Sequence, residues 1–168
     1  QPFWTAEGHR ARIVQVRYEN PKVFSLIMQP SRNWPGFLAG QFIELFTEQD
    51  GRRIGRCFSI SSCPASFLQQ GTIELTIRVQ ENGRVTPRLR HMLKPGQFVG
   101  ISKAQGDFTL RDSQTDLLMI AGGSGITPFR SMLGELANKR RPQNIKLLYY
   151  ARSQDLHLFR REFEDIAK

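Results

Sequence analysis

Over roughly its first two thirds the chain places apolar and polar residues alternately in short runs, the period-two pattern of strands with one face in a core and one in water. Ile73, Leu75, Ile77 and Val79 show it most cleanly, each separated from the next by a polar residue. Arg12–Tyr18, Val23–Gln29, Gln41–Thr47, Arg56–Ser62, Thr72–Val79 and Gln97–Ser102 are rich in Val, Ile, Phe and Thr. Turn chemistry at Glu19-Asn20-Pro21, Trp34-Pro35-Gly36, Asp50-Gly51 and Lys94-Pro95-Gly96 punctuates them. Six short strands at this spacing predict a small antiparallel β-barrel over residues 1–112. One helix, Thr86–Leu93, interrupts it.

Beyond Asp112 the period changes. Leu117–Ala121 is an unbroken apolar run, which predicts a strand buried on both faces. A helix over 128–140 follows, with Phe129, Met132, Leu133, Leu136 and Ala137 at helical spacing. Lys139-Arg140-Arg141 suits its C-terminus and Pro142 stops it. A second strand, Ile145–Tyr150, and a helix over 158–167 with Phe159, Phe163, Ile166 and Ala167 on one face complete the pattern. Strand and helix in alternation predict the first part of a parallel α/β domain at 113–168. Two strands and two helices do not cover both faces of such a sheet. The expectation is therefore further chain beyond Lys168, and upstream of Gln1, which is not Met.

Between the first strand and its helix stands Gly122-Gly123-Ser124-Gly125-Ile126-Thr127-Pro128. Thr127 is the predicted N-cap and Pro128 the first helical residue. Strand, glycine turn and helix together offer backbone N–H groups and a positive dipole end to an anion. The stretch lacks the Lys-Ser or Lys-Thr of a Walker loop, and carries Pro128 where a dinucleotide fingerprint has its third glycine. An ordinary flexible turn is the competing reading. Asn82-Gly83-Arg84-Val85, ahead of Thr86-Pro87, is a second candidate phosphate cradle, or else the lead into a connecting helix.

Composition narrows the function classes. With 39% hydrophobic residues and 12 Phe in 168 residues, the chain has material for a sizeable core. Its 24 basic and 15 acidic residues leave a net charge of +9, which favours acidic partners. The basic residues are dispersed and no nucleic-acid recognition motif accompanies them. No segment approaches the roughly 18 apolar residues of a membrane span, and no secretory leader is visible. Cys57 and Cys63 fit neither a zinc spacing nor a disulfide framework, so reduced thiols and a cytoplasmic setting are expected. His9, His91 and His157 are scattered, so no metal site is expected.

Arg56-Cys57-Phe58-Ser59-Ile60-Ser61-Ser62 resembles the Arg-x-Tyr-Ser flavin motif of the ferredoxin–NADP reductase family. Gly83-Arg84-Val85-Thr86-Pro87 resembles that family's second FAD loop, and Gly122–Pro128 its nicotinamide-nucleotide loop. Leu93-Lys94-Pro95-Gly96-Gln97 and Gly106-Asp107-Phe108 match linking elements, and all occur in family order. The likeness implies that Arg56 pairs with the FAD pyrophosphate while Gly83, Arg84, Val85 and Thr86 hold its other side. It implies that Phe58, where the family has Tyr, stacks on the isoalloxazine and that Ser59 hydrogen-bonds near flavin N5. Ile77 and Val79, on the strand before the second loop, are counted with the cofactor-binding positions. Gly122, Gly123 and Gly125 would approach the dinucleotide pyrophosphate, with Ser124 and Thr127 near the nicotinamide. Arg152 and Ser153 replace the acidic residue of an NAD fold and suit a 2′-phosphate, so the reading leans to NADPH over NADH.

The implied activity is hydride transfer from NAD(P)H to FAD, with single electrons passing to an acidic carrier: a ferredoxin, a flavodoxin or a fused iron–sulfur domain. Two other readings stay open, a non-catalytic flavin- or nucleotide-binding module regulating a partner, and a basic β-barrel that binds nucleic acid.

Overall fold

The computed structural model describes residues 8–49, 51–110, 116–139 and 144–167, with the side chains of Gln49 and Asp155 left aside. All six predicted barrel strands are present. They are β1 (His9–Asn20), β2 (Val23–Pro30), β3 (Phe42–Gln49), β4 (Arg52–Ser59), β5 (Ile73–Arg78) and β6 (Phe98–Ile101). Every neighbouring pair is antiparallel, in the order β4-β3-β6-β1-β2-β5. A bridge between Ile60 and Leu75 joins the two edges and closes the barrel. Its interior holds Ile13, Phe24, Leu26, Met28, Ile43, Leu45, Ile60, Ile73, Leu75, Ile77 and Ile101, all at most 1% exposed. Burying each such side chain contributes about 1.5–3 kcal/mol.

The predicted helix in this region is α2 (Thr86–Met92). The sequence pattern does not show α1 (Pro64–Gln70), about two turns with Pro64 at its start and Gly71 in the left-handed C-cap conformation. Its inward anchor is Phe67, edge-on to Trp34 at 5.3 Å. Leu68 beside it points to solvent, so no helical stripe exists to be recognised.

In the second lobe β7 (Leu117–Gly122) and β8 (Ile145–Tyr150) pair in parallel, Leu117 opposite Ile145 through Gly122 opposite Tyr150. Both α3 (Thr127–Lys139) and α4 (Arg160–Ile166) lie on one side, where Met119, Met132, Leu133 and Leu136 pack with Leu147, Phe163 and Ile166. The expectation that β7 is buried on both faces is therefore corrected. Met119 and Ala121 are buried, but Leu118 and Ile120 are 61% and 59% exposed. Crossover connections of one hand put successive helices on the same face, and nothing described here covers the other. The helix stop at Arg140–Pro142, Asp50 of the hairpin turn, and the 112/113 boundary lie outside the described residues.

The lobes are packed against each other. Ala39 of the barrel joins Met132 and Leu136 of α3, and Val23 joins Ile126 and Leu158. Ser131 on α3 donates to the Ser62 carbonyl at 2.7 Å.

Candidate cofactor-binding site

The glycine turn is wound more tightly than the sequence suggests. Gly123–Ile126 forms a 3₁₀ turn that runs directly into α3, with Gly123 in the left-handed region at φ +52°. Thr127 has helical torsions (φ −57°, ψ −47°), so it is not the N-cap; its buried hydroxyl donates to the Ser124 carbonyl at 3.1 Å. The cap expectation fails because the chain is already curled before Thr127. A methyl group added at Gly122, Gly123 or Gly125 would meet nothing within 4 Å, so the turn borders open space. Gly122 and Gly125 are exposed, and Gly123 and Ser124 partly so.

From beneath, the Tyr149 hydroxyl supports this turn. It donates to the Gly123 carbonyl at 3.0 Å and accepts from the Leu158 N–H at 3.2 Å. Burial raises the phenol above its ordinary pKa, against the opposing pull of the Leu158 hydrogen bond. Tyr149→Phe leaves both backbone groups unpaired, and a loss of about 1–2 kcal/mol is expected at neutral pH, read from the urea midpoint. Because the folded pKa is raised, the hydroxyl's contribution is complete below the unfolded pKa and disappears as pH rises through the folded one. The gap between wild type and variant should close over that interval; a gap constant with pH would contradict the assignment.

Arg56 and Phe58, two residues apart on β4, share one strand face, opposite Leu45 and Ile43 in register. Arg56 is exposed, its Nη1 donating to the Gly55 carbonyl at 2.8 Å, and Phe58 is half-buried against the barrel core. Strand alternation puts the partly buried Ser59 on the other face with Cys57. The Ile60–Leu75 bridge sets the end of β4 beside β5.

Strand β5 leads to the second cradle. Gly83 and Arg84 are exposed there and Val85 is buried. The turn is closed by Gly83 N–H donating to the Gln80 carbonyl at 2.7 Å, and Thr86 Oγ1 accepts from the Gln80 N–H at 2.8 Å. Ile77 is corrected: it is wholly enclosed in the barrel core, so its side chain offers no surface to a cofactor. Val79 is half-buried against the same core, its N–H given to the Lys22 carbonyl.

Beyond β8, Arg152 and Ser153 are exposed. The Gly122–Tyr150 pairing puts their loop at the same carboxyl edge of the sheet as the glycine turn, where open α/β sheets bind ligands. The 3₁₀ turn also lies against β5 of the barrel. Strand β5 thus meets the end of β4, leads to the second cradle and touches the glycine turn, so it brings the three predicted motifs to one region. A cleft of about 830 Å³ between α3, β8 and α4, behind this edge, has a mixed lining of Leu133, Leu147 and Phe163 with His157, Arg160 and Glu164.

Sequence reading passes over one charged group that the fold makes prominent. Arg130 on α3 has a side chain only 13% exposed, ion-paired with Glu74 of β5 and Glu162 of α4. Burial alone would lower its pKa, but the charges of Glu74 and Glu162 outweigh that and hold it above its ordinary value. The available signal was a charge beside Phe129, at the start of the apolar face of α3. Among the described residues no group of His, Cys, Asp and Glu could hold a metal ion, and no helix is long and apolar enough to cross a membrane.

Two family signatures match the chain, the oxidoreductase FAD-binding domain over residues 15–110 and the oxidoreductase NAD-binding domain over 119–168. An NADPH oxidoreductase of Mycobacterium tuberculosis is 31% identical over 152 residues, covering 89% of this chain and 40% of its own length. The reductase component of phenol 2-monooxygenase from Pseudomonas sp. (strain CF600) is 34% identical over 164 residues, covering 96% of this chain and 44% of its own length. The chain thus spans less than half the length of these relatives. A ferredoxin NADP⁺ reductase from Neisseria gonorrhoeae, solved with bound FAD and NADP, superposes with a TM-score of 0.81. It is 21% identical over 96% of this chain and 64% of its own, a likeness of fold. An antiparallel barrel followed by the opening of a parallel α/β domain, carrying both signatures in this order, places the chain in the ferredoxin–NADP reductase family of FAD- and NAD-binding oxidoreductases.

Proposed function

We propose that this chain supplies the FAD-binding domain (1–112) and the first part of the NAD(P)-binding domain (113–168) of an FAD-dependent NAD(P)H reductase. The convergence of three anion-binding candidates on β5 carries the reading. Their chemistry suits two diphosphates. Arg56 projects an exposed guanidinium from the barrel, and the glycine turn stands in open space at the end of β7. When bound, FAD supplies hydride acceptance from the nicotinamide and one-electron delivery onward.

The protein's own share is binding and orientation. Arg56 neutralises the flavin pyrophosphate through charge-assisted hydrogen bonds, with Gly83, Arg84, Val85 and Thr86 on its other side. Phe58 stacks on the flavin ring, and Ser59, where β4 ends, hydrogen-bonds near its reactive nitrogen. Gly122, Gly123 and Gly125 let backbone approach the nicotinamide nucleotide, with Ser124 beside it. Thr127 acts indirectly, through its bond to Ser124. The acceptor in this reading is an acidic electron carrier, steered by the net charge of +9, in a cytoplasmic setting.

The test is colour. Protein loaded with FAD should bleach on adding NADPH under argon. Flavin that neither NADPH nor NADH reduces favours the binding-module reading, or a nicotinamide site that needs the rest of the NAD(P)-binding domain. Protein that takes up no FAD and binds DNA with steep salt dependence favours the nucleic-acid reading. For the nucleotide preference, Arg152→Ala should raise the KM for NADPH about tenfold or more, the worth of a charge-assisted hydrogen bond, and leave NADH little changed. Equal losses for both would remove Arg152 from the 2′-phosphate.

A further inference from the structure

A continuous polar chain runs through the seam between the lobes. Ser61, two residues after Ser59, hydrogen-bonds Thr76 at 3.0 Å, and Thr76 meets Ser25 at 2.9 Å. Ser25 donates to Glu19 at 2.7 Å, and Arg17 bridges Glu19 and Glu74 at 2.8 and 2.7 Å. Glu74 Oε1 also takes Arg130 Nη1 at 2.9 Å, while Arg130 Nε meets both Glu162 oxygens at 3.0 and 2.9 Å. The Arg130 guanidinium lies 4.0 Å from the centre of the Phe159 ring, and Phe159 holds φ +60°, a left-handed conformation uncommon for a bulky residue. Ser131, next along α3, donates to Ser62, whose hydroxyl in turn accepts the Glu74 N–H at 2.9 Å.

One side chain therefore ties three separate elements: β5 of the barrel, α3 that the glycine turn launches, and the start of α4. With side chains 13% and 10% exposed, Arg130 and Glu74 lie out of the solvent that makes surface ion pairs weak. Removing one partner of a buried pair leaves the other charge uncompensated, so arrangements that separate Arg130 from Glu74 are disfavoured. The guanidinium's planar fork lets it serve two carboxylates and an aromatic face at once. A lysine has one ammonium to share.

We propose that Arg130, through Glu74, is a positioning residue: it fixes the angle between the lobes, and so the separation of the flavin cradle on β4 from the nucleotide turn before α3. The inference rests on the reductase reading for its catalytic consequence, and its structural half is measured independently. In hydrogen–deuterium exchange on the whole chain, Arg130→Met should accelerate α3 and α4 at least tenfold while β2 and β5 change less than twofold. In anaerobic stopped flow on FAD-loaded protein, the limiting rate of flavin reduction should fall at least tenfold. The NADPH concentration for half-maximal rate and the FAD Kd should stay within about twofold. Arg130→Lys should recover part of the rate. Glu74→Gln, which keeps side-chain volume, should reproduce both effects should Arg130→Met fail to fold. Unchanged exchange in α3 and α4, acceleration spread evenly over the barrel, or an unchanged limiting rate would each overturn the proposal. Wild-type flavin that no nicotinamide reduces would instead bear on the reductase reading, or on the part of the NAD(P)-binding domain outside this chain, and exchange alone would then decide whether Arg130 ties the lobes.

Discussion

Arg56→Ala should weaken FAD binding about 10- to 100-fold, measured by titrating apoprotein with FAD and following flavin fluorescence. That range is the roughly 1.5–3 kcal/mol of one hydrogen bond to a charged group, taken as the net worth of an exposed guanidinium–pyrophosphate pair that also gives up hydration. The side chain is exposed and its described bond is to the carbonyl of its own neighbour, Gly55. Its removal therefore breaks no core contact, and a loss of affinity can be read as a loss of ligand contact. Arg56→Lys should keep the charge but not the fork, and fall between the two. An unchanged Kd for Arg56→Ala would take this residue out of the site.

Gly40→Ala should destabilise the fold strongly. Gly40 sits at φ +98°, where a side chain is strained. An added Cβ would lie 2.0 Å from the Phe108 carbonyl oxygen and 2.4 Å from Met132 Cε. Met132 can shift its tip, but the Phe108 oxygen is backbone. It belongs to the segment whose Phe108 ring meets Phe129 of α3 edge-on at 5.5 Å. Strain and overpacking together cost about 2–6 kcal/mol. For a chain of this size that lowers Tm by roughly 5–20 °C, measurable by calorimetry. Gly51→Ala is the control: it has φ +71° with nothing within 4 Å of the added carbon, so it carries strain without the clash. Equal shifts for the two would show that the close approach at Gly40 does not matter.

The barrel was legible because alternation is local. Ile73, Leu75 and Ile77 declare a strand face without reference to any partner, and all three lie in the core; the wet face expected of the same strand is corrected, because Glu74 and Thr76 are buried in the polar network that reaches Arg130. That same clarity hid the limits of Ile77, since alternation marks a strand residue without showing that its side chain is wholly enclosed. α1 was illegible for the opposite reason: one anchor, Phe67, meets Trp34 and Phe37 from another part of the chain. Thr127 followed the statistics of helix starts, and the 3₁₀ turn before it overrode them. Arg130 offered only the faint signal of a charge at the start of an apolar helix face, and its partners could not be read at all, because Glu74 lies 56 residues away and Glu162 lies 32.

By itself the amino-acid order determined the two-lobe plan, the strand and helix pattern, the glycine turn and the family likeness, because each rests on residues within a few positions of one another. Tertiary structure alone decided that β5 gathers the three motifs, that Leu118 and Ile120 of β7 are left exposed among the described residues, and that Arg130 spans the seam between the lobes. Burial and ion pairing act through space and not along the chain.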